Sequence, residues 1–309
     1  NIYEIIFDPP EWPYALRQQM QLDRDPLDRR KAVVIATNQN EALILAQLGD
    51  RVLQSVAWDV ADELGWPDTY DAEYVALRGA VNAAVRARAD AAARVAVLDL
   101  DESACADVIG EIEAAGGRAL AVGADVASED AVRAAIERVA GELGSPTVLI
   151  NNAGITRDNL LFKMTEDDWD LVMGVHLKGA FHVTQPAFVK MREQGYGRIV
   201  STSSAAGIFG NFGQANYGAA KMGLVGFSRV LAAEGAKFNI KANVIAPLAL
   251  TRMTENLMGA IGDKLDPALV TPIVAWLSHE DCDVSGEIYS VGGGRVARVF
   301  IGETPGYYK

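Results

Sequence analysis

The chain has 309 residues, half of them hydrophobic and 22% charged, enough for one large domain or two small ones. That composition excludes a mostly disordered chain. Its 41 acidic and 28 basic residues give a net charge of −13, which repels phosphate backbones and argues against a nucleic-acid partner. No apolar run reaches the ~18 residues of a membrane span, so no membrane partner is expected. Asn1 to Pro10 carries Glu4 and Asp8 and no basic flank, which is not the pattern of a secretory signal. The only cysteines, Cys105 and Cys282, cannot staple a chain of this length and stand in no metal-ligand spacing. No metal site is expected, and a reducing, cytoplasmic setting fits best.

In chain order, residues 1–30 hold Pro9, Pro10, Pro13 and Pro26 and read as an irregular segment. Ala32 to Ile35 reads as a strand, Glu41 to Leu48 as a helix, and Tyr70 to Ala93 as a helical stretch rich in alanine and arginine. Arg94 to Asp99 reads as a buried strand ending in an acid. Glu102 to Ala115 places Val108, Ile109 and Ile112 on one helical face, and Gly116-Gly117 stops it. Ala119 to Val122 is a short strand. Ser128 caps the next helix, which carries Val132, Ile136, Val139 and Leu143 at helical spacing. Val148 to Ile150 is a strand. Asp167 to Gln194 is a long helix, expected to break or begin late near Pro186. Arg198 to Ser201 and Ala242 to Ala246 are strands, with the helix Asn216 to Phe238 between them. Its small residues suggest a closely packed partner. Pro272 to Ser278 is a short helix, and Glu287 to Val291 is expected to be the last strand. Repeated strand–helix units imply right-handed crossovers and an α/β fold: a doubly wound parallel, Rossmann-like sheet.

The chemistry gathers in the second half. Tyr217 and Lys221 are four residues apart on one helix, so their side chains share a face. An ammonium beside a phenol is expected to lower its pKa from about 10 and make Tyr217 a proton donor and acceptor near neutral pH. Ser204, thirteen residues earlier at a strand end, can donate to the same substrate oxygen. Asn151-Asn152-Ala153-Gly154 follows a strand at the end where parallel sheets bind ligands, and its small residues admit a flat ring close to the backbone.

Asn-Asn-Ala-Gly, Ser204, Tyr217 and Lys221, in this order and spacing, resemble a short-chain dehydrogenase/reductase over roughly residues 80–309. The stretches Gly210 to Tyr217, Ala246-Pro247 with Arg252-Met253-Thr254, and Ser278-His279-Glu280 resemble the (3R)-hydroxyacyl-CoA dehydrogenase branch. The resemblance implies an oxidoreductase that interconverts a secondary alcohol and a ketone, on a 3-hydroxyacyl or 3-oxoacyl thioester or a steroid-like substrate. It makes Tyr217 the general acid/base, Lys221 the holder of the nicotinamide ribose, and Ser204 the group that polarises the carbonyl. Asp99 matches the acid that takes the adenosine ribose, favouring NAD over NADP. Asp125 and Val126 match the pair beside the adenine. Asn151, Ala153, Gly154 and Pro247 complete the cofactor set. His176 stands where the family carries a helical asparagine and is a candidate relay partner, although a lone helical histidine is more often simply packed. His182 and His279 read as ordinary structural histidines. A homo-oligomer is expected through the helices that begin at Asp167 and Asn216.

Three departures stand out. The first is His176 itself. The family's Pro-Gly is Pro247-Leu248 here. The glycine-rich turn of the first βα unit, which cradles pyrophosphate, is missing: Tyr74 to Arg86 holds only Gly79, and Thr37 to Asn40, after the Ala32 to Ile35 strand, holds none. The first βα unit is therefore expected to be atypical or incomplete, and cofactor affinity weakened or lost. Leu64 to Leu77 resembles the third conserved block of a PIN-domain ribonuclease, with Asp71 its metal-holding acid, although one carboxylate makes no metal site. The expected division is an irregular segment 1–30, a PIN-like fragment or substitute first βα unit at 31–78, and a dehydrogenase-like domain at 79–309. Two alternatives stay open, a cofactor-defective dehydrogenase-like protein and a metal-dependent ribonuclease. Specificity is expected in Ile155 to Lys163 and Leu248 to Lys264, where Met253, Leu257 and Met258 suit an apolar substrate. The tail from Val296 to Lys309 is expected to dock on a neighbour or on its own cleft.

Overall fold

The computed structural model describes residues 33–36, 94–114, 116–251, 254 and 264–307. The PIN-like block with Asp71, the sequence at 37–93 and the substrate-loop residues Met253, Leu257 and Met258 lie outside the described residues.

Short apolar runs become strands, and runs of helical period become the layers that cover them. The elements are β1 (Val33–Ala36), β2 (Arg94–Asp99), α1 (Ala106–Ala114), β3 (Arg118–Gly123), α2 (Glu129–Glu142) and β4 (Val148–Asn151). Then come α3 (Glu166–Met173), α4 (Gly179–Gln194), β5 (Gly197–Thr202), α5 (Ala205–Phe209), α6 (Ala215–Gly235) and β6 (Ile240–Pro247). The chain closes with α7 (Thr271–Ser278), β7 (Ile288–Gly292) and β8 (Arg295–Val299). Caps appear where polar residues precede a helix. The Ala131 N–H donates to Ser128 Oγ at 3.4 Å and the Asp168 N–H to Thr165 Oγ1 at 3.1 Å.

The sheet order is β3-β2-β1-β4-β5-β6-β7-β8, parallel throughout except for the antiparallel β7–β8 pair. This is the doubly wound, Rossmann-like sheet read from the sequence. Strand β1 pairs with β2 on one side and β4 on the other, so the strand order reverses there and opens a crevice at the carboxyl ends of the strands. The Val33–Ala36 run thus occupies the place of the first strand.

Alternation of side chains puts successive residues on opposite faces. On one face Val95, Val97, Val148, Ile150, Val200 and Ile245 pack against Val108 and Ile112 of α1 and Ile273, Val274 and Leu277 of α7. On the other, Ala96, Leu98, Leu149 and Ile199 pack against Val132, Ile136 and Val139 of α2, Val183 and Met191 of α4, and Leu231 of α6. Among the described residues no helix is long and apolar enough to cross a membrane.

Two expectations are corrected. The long helix does not break at Pro186, which sits inside α4. It is interrupted earlier, by a π turn at Gly174–Lys178 that carries His176. Ile288–Gly292 is not the last strand: Gly293 and Gly294, with φ of +56° and +78°, make a two-residue hairpin turn into β8, so Val296 begins no free tail. The close packing expected at the small residues of α6 is present within the chain: a Cβ on Gly223 would stand 2.8 Å from Leu177 Cδ2 in the π turn.

Candidate active site

Ser204 ends the β5 segment as the cap of α5, its Oγ accepting the Ala206 N–H at 3.2 Å. The hydroxyl proton stays available, and Ser204 hydrogen-bonds Tyr217 on the first turn of α6. One turn on, Lys221 is 3% exposed, donates from Nζ to the Thr202 carbonyl at 2.6 Å, and stands 5.5 Å from the Tyr217 ring centre. The structure therefore brings the three residues together at the mouth of β5.

The expectation that Tyr217 has a lowered pKa is not met. Burial holds the phenol above its usual value, Ser204's hydrogen bond opposes this, and the Asp158 carboxylate adds to the rise. The i, i+4 spacing brought the ammonium near the ring, but the desolvation of the phenol sets the sign.

His176 is 2% exposed, with its ring edge-on to Tyr217 at 5.2 Å between centroids. Its Nε2 lies 2.7 Å from the Ile155 carbonyl oxygen and 3.0 Å from the Ile155 amide nitrogen. Burial, reinforced by the charge of Lys221 and opposed by the Ile155 bond, pushes its pKa down to about 3. Gly154 must be bare here, because a Cβ would meet His176 Cε1 at 2.5 Å.

The remaining candidates follow the strand ends. Asp99 closes β2 half-buried, and its Oδ1 accepts the Asp101 N–H at 3.3 Å. Asp125 is exposed and accepts the Ala127 N–H at 2.8 Å. The carbonyl of Val126 is 2.9 Å from His182 Nδ1, which gives that structural histidine a place behind the cleft. Asn151 turns its amide into the core, donating to Thr184 Oγ1 at 2.9 Å and Ser201 Oγ at 3.4 Å, while Asn152, Ala153 and Gly154 are half-buried. Pro247 ends β6, and the Leu248 N–H that follows donates to the Val291 carbonyl at 2.7 Å.

Sequence reasoning passed over Asn216 and Gln214. Asn216 is fully buried, donates to the carbonyls of Arg157 and Asp168 at 3.0 and 3.1 Å, and accepts the Tyr217 N–H at 2.8 Å. Gln214 donates to Asp158 Oδ2 at 2.7 Å. Together they tie the loop after β4 to the start of α6. The available signal was an amide flanking the candidate tyrosine.

A nicotinamide dinucleotide fits the described part of this crevice. A carboxylate closes β2, small residues follow β4, and a hydroxyl, phenol and ammonium converge after β5. Residues 37–93, where the pyrophosphate turn belongs, lie outside the described residues.

A family model described as short chain dehydrogenase matches residues 76–260. A short-chain type dehydrogenase/reductase of Mycobacterium tuberculosis is 49% identical over 199 residues, 64% of this chain and 70% of that protein. The peroxisomal multifunctional enzyme type 2 of Mus musculus is 45% identical over 199 residues, 64% of this chain and 26% of that protein. This chain spans only 21–45% of the peroxisomal multifunctional enzymes it matches. The crystal structure of a short chain dehydrogenase from Mycobacterium avium superposes with a TM-score of 0.68 at 32% identity, covering 90% of this chain and 88% of that one. The strand order, the crevice at β1 and the serine, tyrosine and lysine at the end of β5 thus agree with a match over more than half the sequence: the chain belongs to the short-chain dehydrogenase family.

Proposed function

We propose that this chain is an NAD-linked oxidoreductase that interconverts a 3-hydroxyacyl and a 3-oxoacyl thioester, with Ser204, Tyr217 and Lys221 as its catalytic residues. The observation that carries the reading is the convergence of those three groups: a phenol hydrogen-bonded by Ser204, with a buried ammonium 5.5 Å from its ring centre.

A bound nicotinamide supplies the hydride donor for reduction and the acceptor for oxidation. The protein's own groups handle the proton. In reduction, neutral Tyr217 gives its proton to the carbonyl oxygen, and the Ser204 hydroxyl donates a second bond to that oxygen as it gains negative charge. In oxidation the phenolate takes the alcohol proton. The raised pKa of Tyr217 keeps the phenol protonated at neutral pH and so favours reduction there. The Lys221 charge, anchored on the Thr202 carbonyl, favours the negative charge that develops on the phenol and so offsets part of the cost of its burial. Asp99 would receive the adenosine ribose hydroxyls and repel a 2′-phosphate. Val126 and the Asn152–Gly154 turn would border the adenosine and nicotinamide, and Pro247 the nicotinamide. A homo-oligomer through α3, α4 and α6 suits the family, and Trp169, Leu171, Phe181, Val189 and Val230 are exposed on those helices.

The test is turnover of a 3-oxoacyl thioester followed by NADH absorbance. Tyr217→Phe removes the proton donor and keeps the ring, so the rate is expected to fall about 10²–10⁴-fold with folding unchanged. Equal turnover by this variant would refute the assignment of Tyr217, and no saturable NADH binding by the parent would refute the cofactor reading.

A further inference from the structure

A small cavity of about 10 Å³, room for roughly one water molecule, lies against the π turn and the segment after β4. Two residues lining it each carry a buried polar atom with no hydrogen-bond partner among the described residues, Asn151 Oδ1 and His176 Nδ1. Both residues are deeply buried, at 5% and 2% exposure. The opposite end of each side chain is already committed, Asn151 Nδ2 to Thr184 and Ser201, and His176 Nε2 to the Ile155 backbone. Val126, Val175, Ala180, Val183 and Leu224 supply apolar wall that offers neither atom a hydrogen bond, and the Asn152-Ala153 turn and Gly179 close it. A cavity of this size, with two partnerless polar side chains in its lining, is the setting in which a buried water belongs.

We propose that this cavity is the binding site of one ordered water, which donates one hydrogen bond to Asn151 Oδ1 and the other to His176 Nδ1, holding the imidazole in the tautomer protonated on Nε2. An amide oxygen only accepts, so one O–H must turn to Asn151. The second O–H then meets the Nδ1 lone pair. The choice of tautomer follows from the other ring nitrogen. With a proton on Nε2, the 2.7 Å approach to the Ile155 carbonyl is a hydrogen bond. Without it, two lone-pair atoms would face each other at that distance; the Ile155 N–H also points at Nε2, but from the longer distance of 3.0 Å, so the carbonyl contact decides the tautomer.

His176 is then a positioning residue. Both ring nitrogens are spent on fixed partners, one on Ile155 and one on the water, so the ring carries no proton between Lys221 and solvent. It holds the Ile155 backbone and with it the turn that contains Gly154, whose missing Cβ leaves the ring its place. A charged ring would need a second proton on Nδ1, pointing at the hydrogens of the water, and the nearby Lys221 charge disfavours it further. This inference stands on packing alone and does not depend on the redox reading.

The test uses the full chain. A high-resolution crystal structure is expected to show one ordered water within about 2.7–3.2 Å of both atoms. In ¹⁵N-histidine-labelled protein, long-range ¹H–¹⁵N correlations are expected to show His176 as the neutral Nε2–H tautomer, with no titration near the ordinary histidine pKa of about 6.5. The chain has three histidines, so His176→Gln assigns the signal, and His182→Gln with His279→Gln assigns it by elimination where that variant does not fold. Asn151→Leu removes the acceptor without touching the ring and is expected to shift the pattern towards mixed tautomers, a change that a purely space-filling histidine would not show. A dry cavity beside an unmoved His176, an Nδ1–H tautomer, or titration near 6.5 would each overturn the proposal.

Discussion

Gly154→Ala tests how tightly the cleft is built. The new Cβ would sit 2.5 Å from His176 Cε1 and 3.1 Å from Nδ1, well inside van der Waals contact. The imidazole cannot swing clear, because it is buried and its Nε2 is bonded to Ile155. Overpacking of this kind costs about 1–3 kcal/mol, which corresponds to a fall in Tm of about 2–12 °C at roughly 2–4 °C per kcal/mol for chains of this order of size. His176→Ala is destabilising by a different route, through the lost Ile155 bond and the space left behind. In the double variant the alanine methyl occupies part of that space and meets no ring. Thermal unfolding followed by circular dichroism should therefore show the double variant about 1–3 kcal/mol more stable than the sum of the single effects predicts. A Tm for Gly154→Ala within about 1 °C of the parent, or simple additivity in the cycle, would refute the argument that the two residues compete for one volume.

Other outcomes follow from single contacts. The Asp158 carboxylate raises the Tyr217 pKa, so Asp158→Asn should lower it and move the alkaline rise of alcohol oxidation to lower pH. Because Asp158 is exposed, the shift should shrink as salt is added; a pH–rate profile at two ionic strengths checks both statements. Asp99→Ser should tighten NADPH relative to NADH in fluorescence titrations, and a parent that already binds the two equally would remove Asp99 as the selector. Arg198 is 1% exposed and donates to the carbonyls of His279, Glu280, Asn239 and Gly197 at 2.8–3.0 Å. Arg198→Met strands these acceptors and should cost about 3 kcal/mol, read as a lower denaturation midpoint.

Strands such as Arg94–Asp99 and Gly197–Thr202 were legible because an apolar run bounded by polar residues has few other places in an α/β sheet. β8 was missed although the glycines before Arg295-Val-Ala-Arg-Val299 are a hairpin signal; the run has no strict alternation, and its position near the chain end made it read as a tail. The π turn at Gly174–Lys178 has no residue pattern of its own, whereas Pro186 is a conspicuous breaker. The neighbouring helical turns hold that proline inside α4, so a local rule gave way to packing. Ser204, Tyr217 and Lys221 were legible because their chemistry depends on residue type and spacing. The sign of the Tyr217 shift was not, because burial belongs to the whole fold and no four-residue step reports it.

Several described segments that border the cleft share one feature that spacing could not reveal: each is held by a side chain from a helix behind it. His182 of α4 reaches the Val126 carbonyl, His176 of the π turn reaches Ile155, Asn216 of α6 reaches Arg157 and Asp168, and Lys221 of α6 reaches Thr202. The helices therefore set where the strand-end backbone lies, and the proposed catalytic groups take their geometry from that backbone. A misplacement of about 1 Å can cost about 10²-fold in rate. Substitutions at His182 or Asn216, neither of which reacts, should accordingly lower kcat by moving the loops, while leaving the protonation behaviour of Tyr217 to its own surroundings.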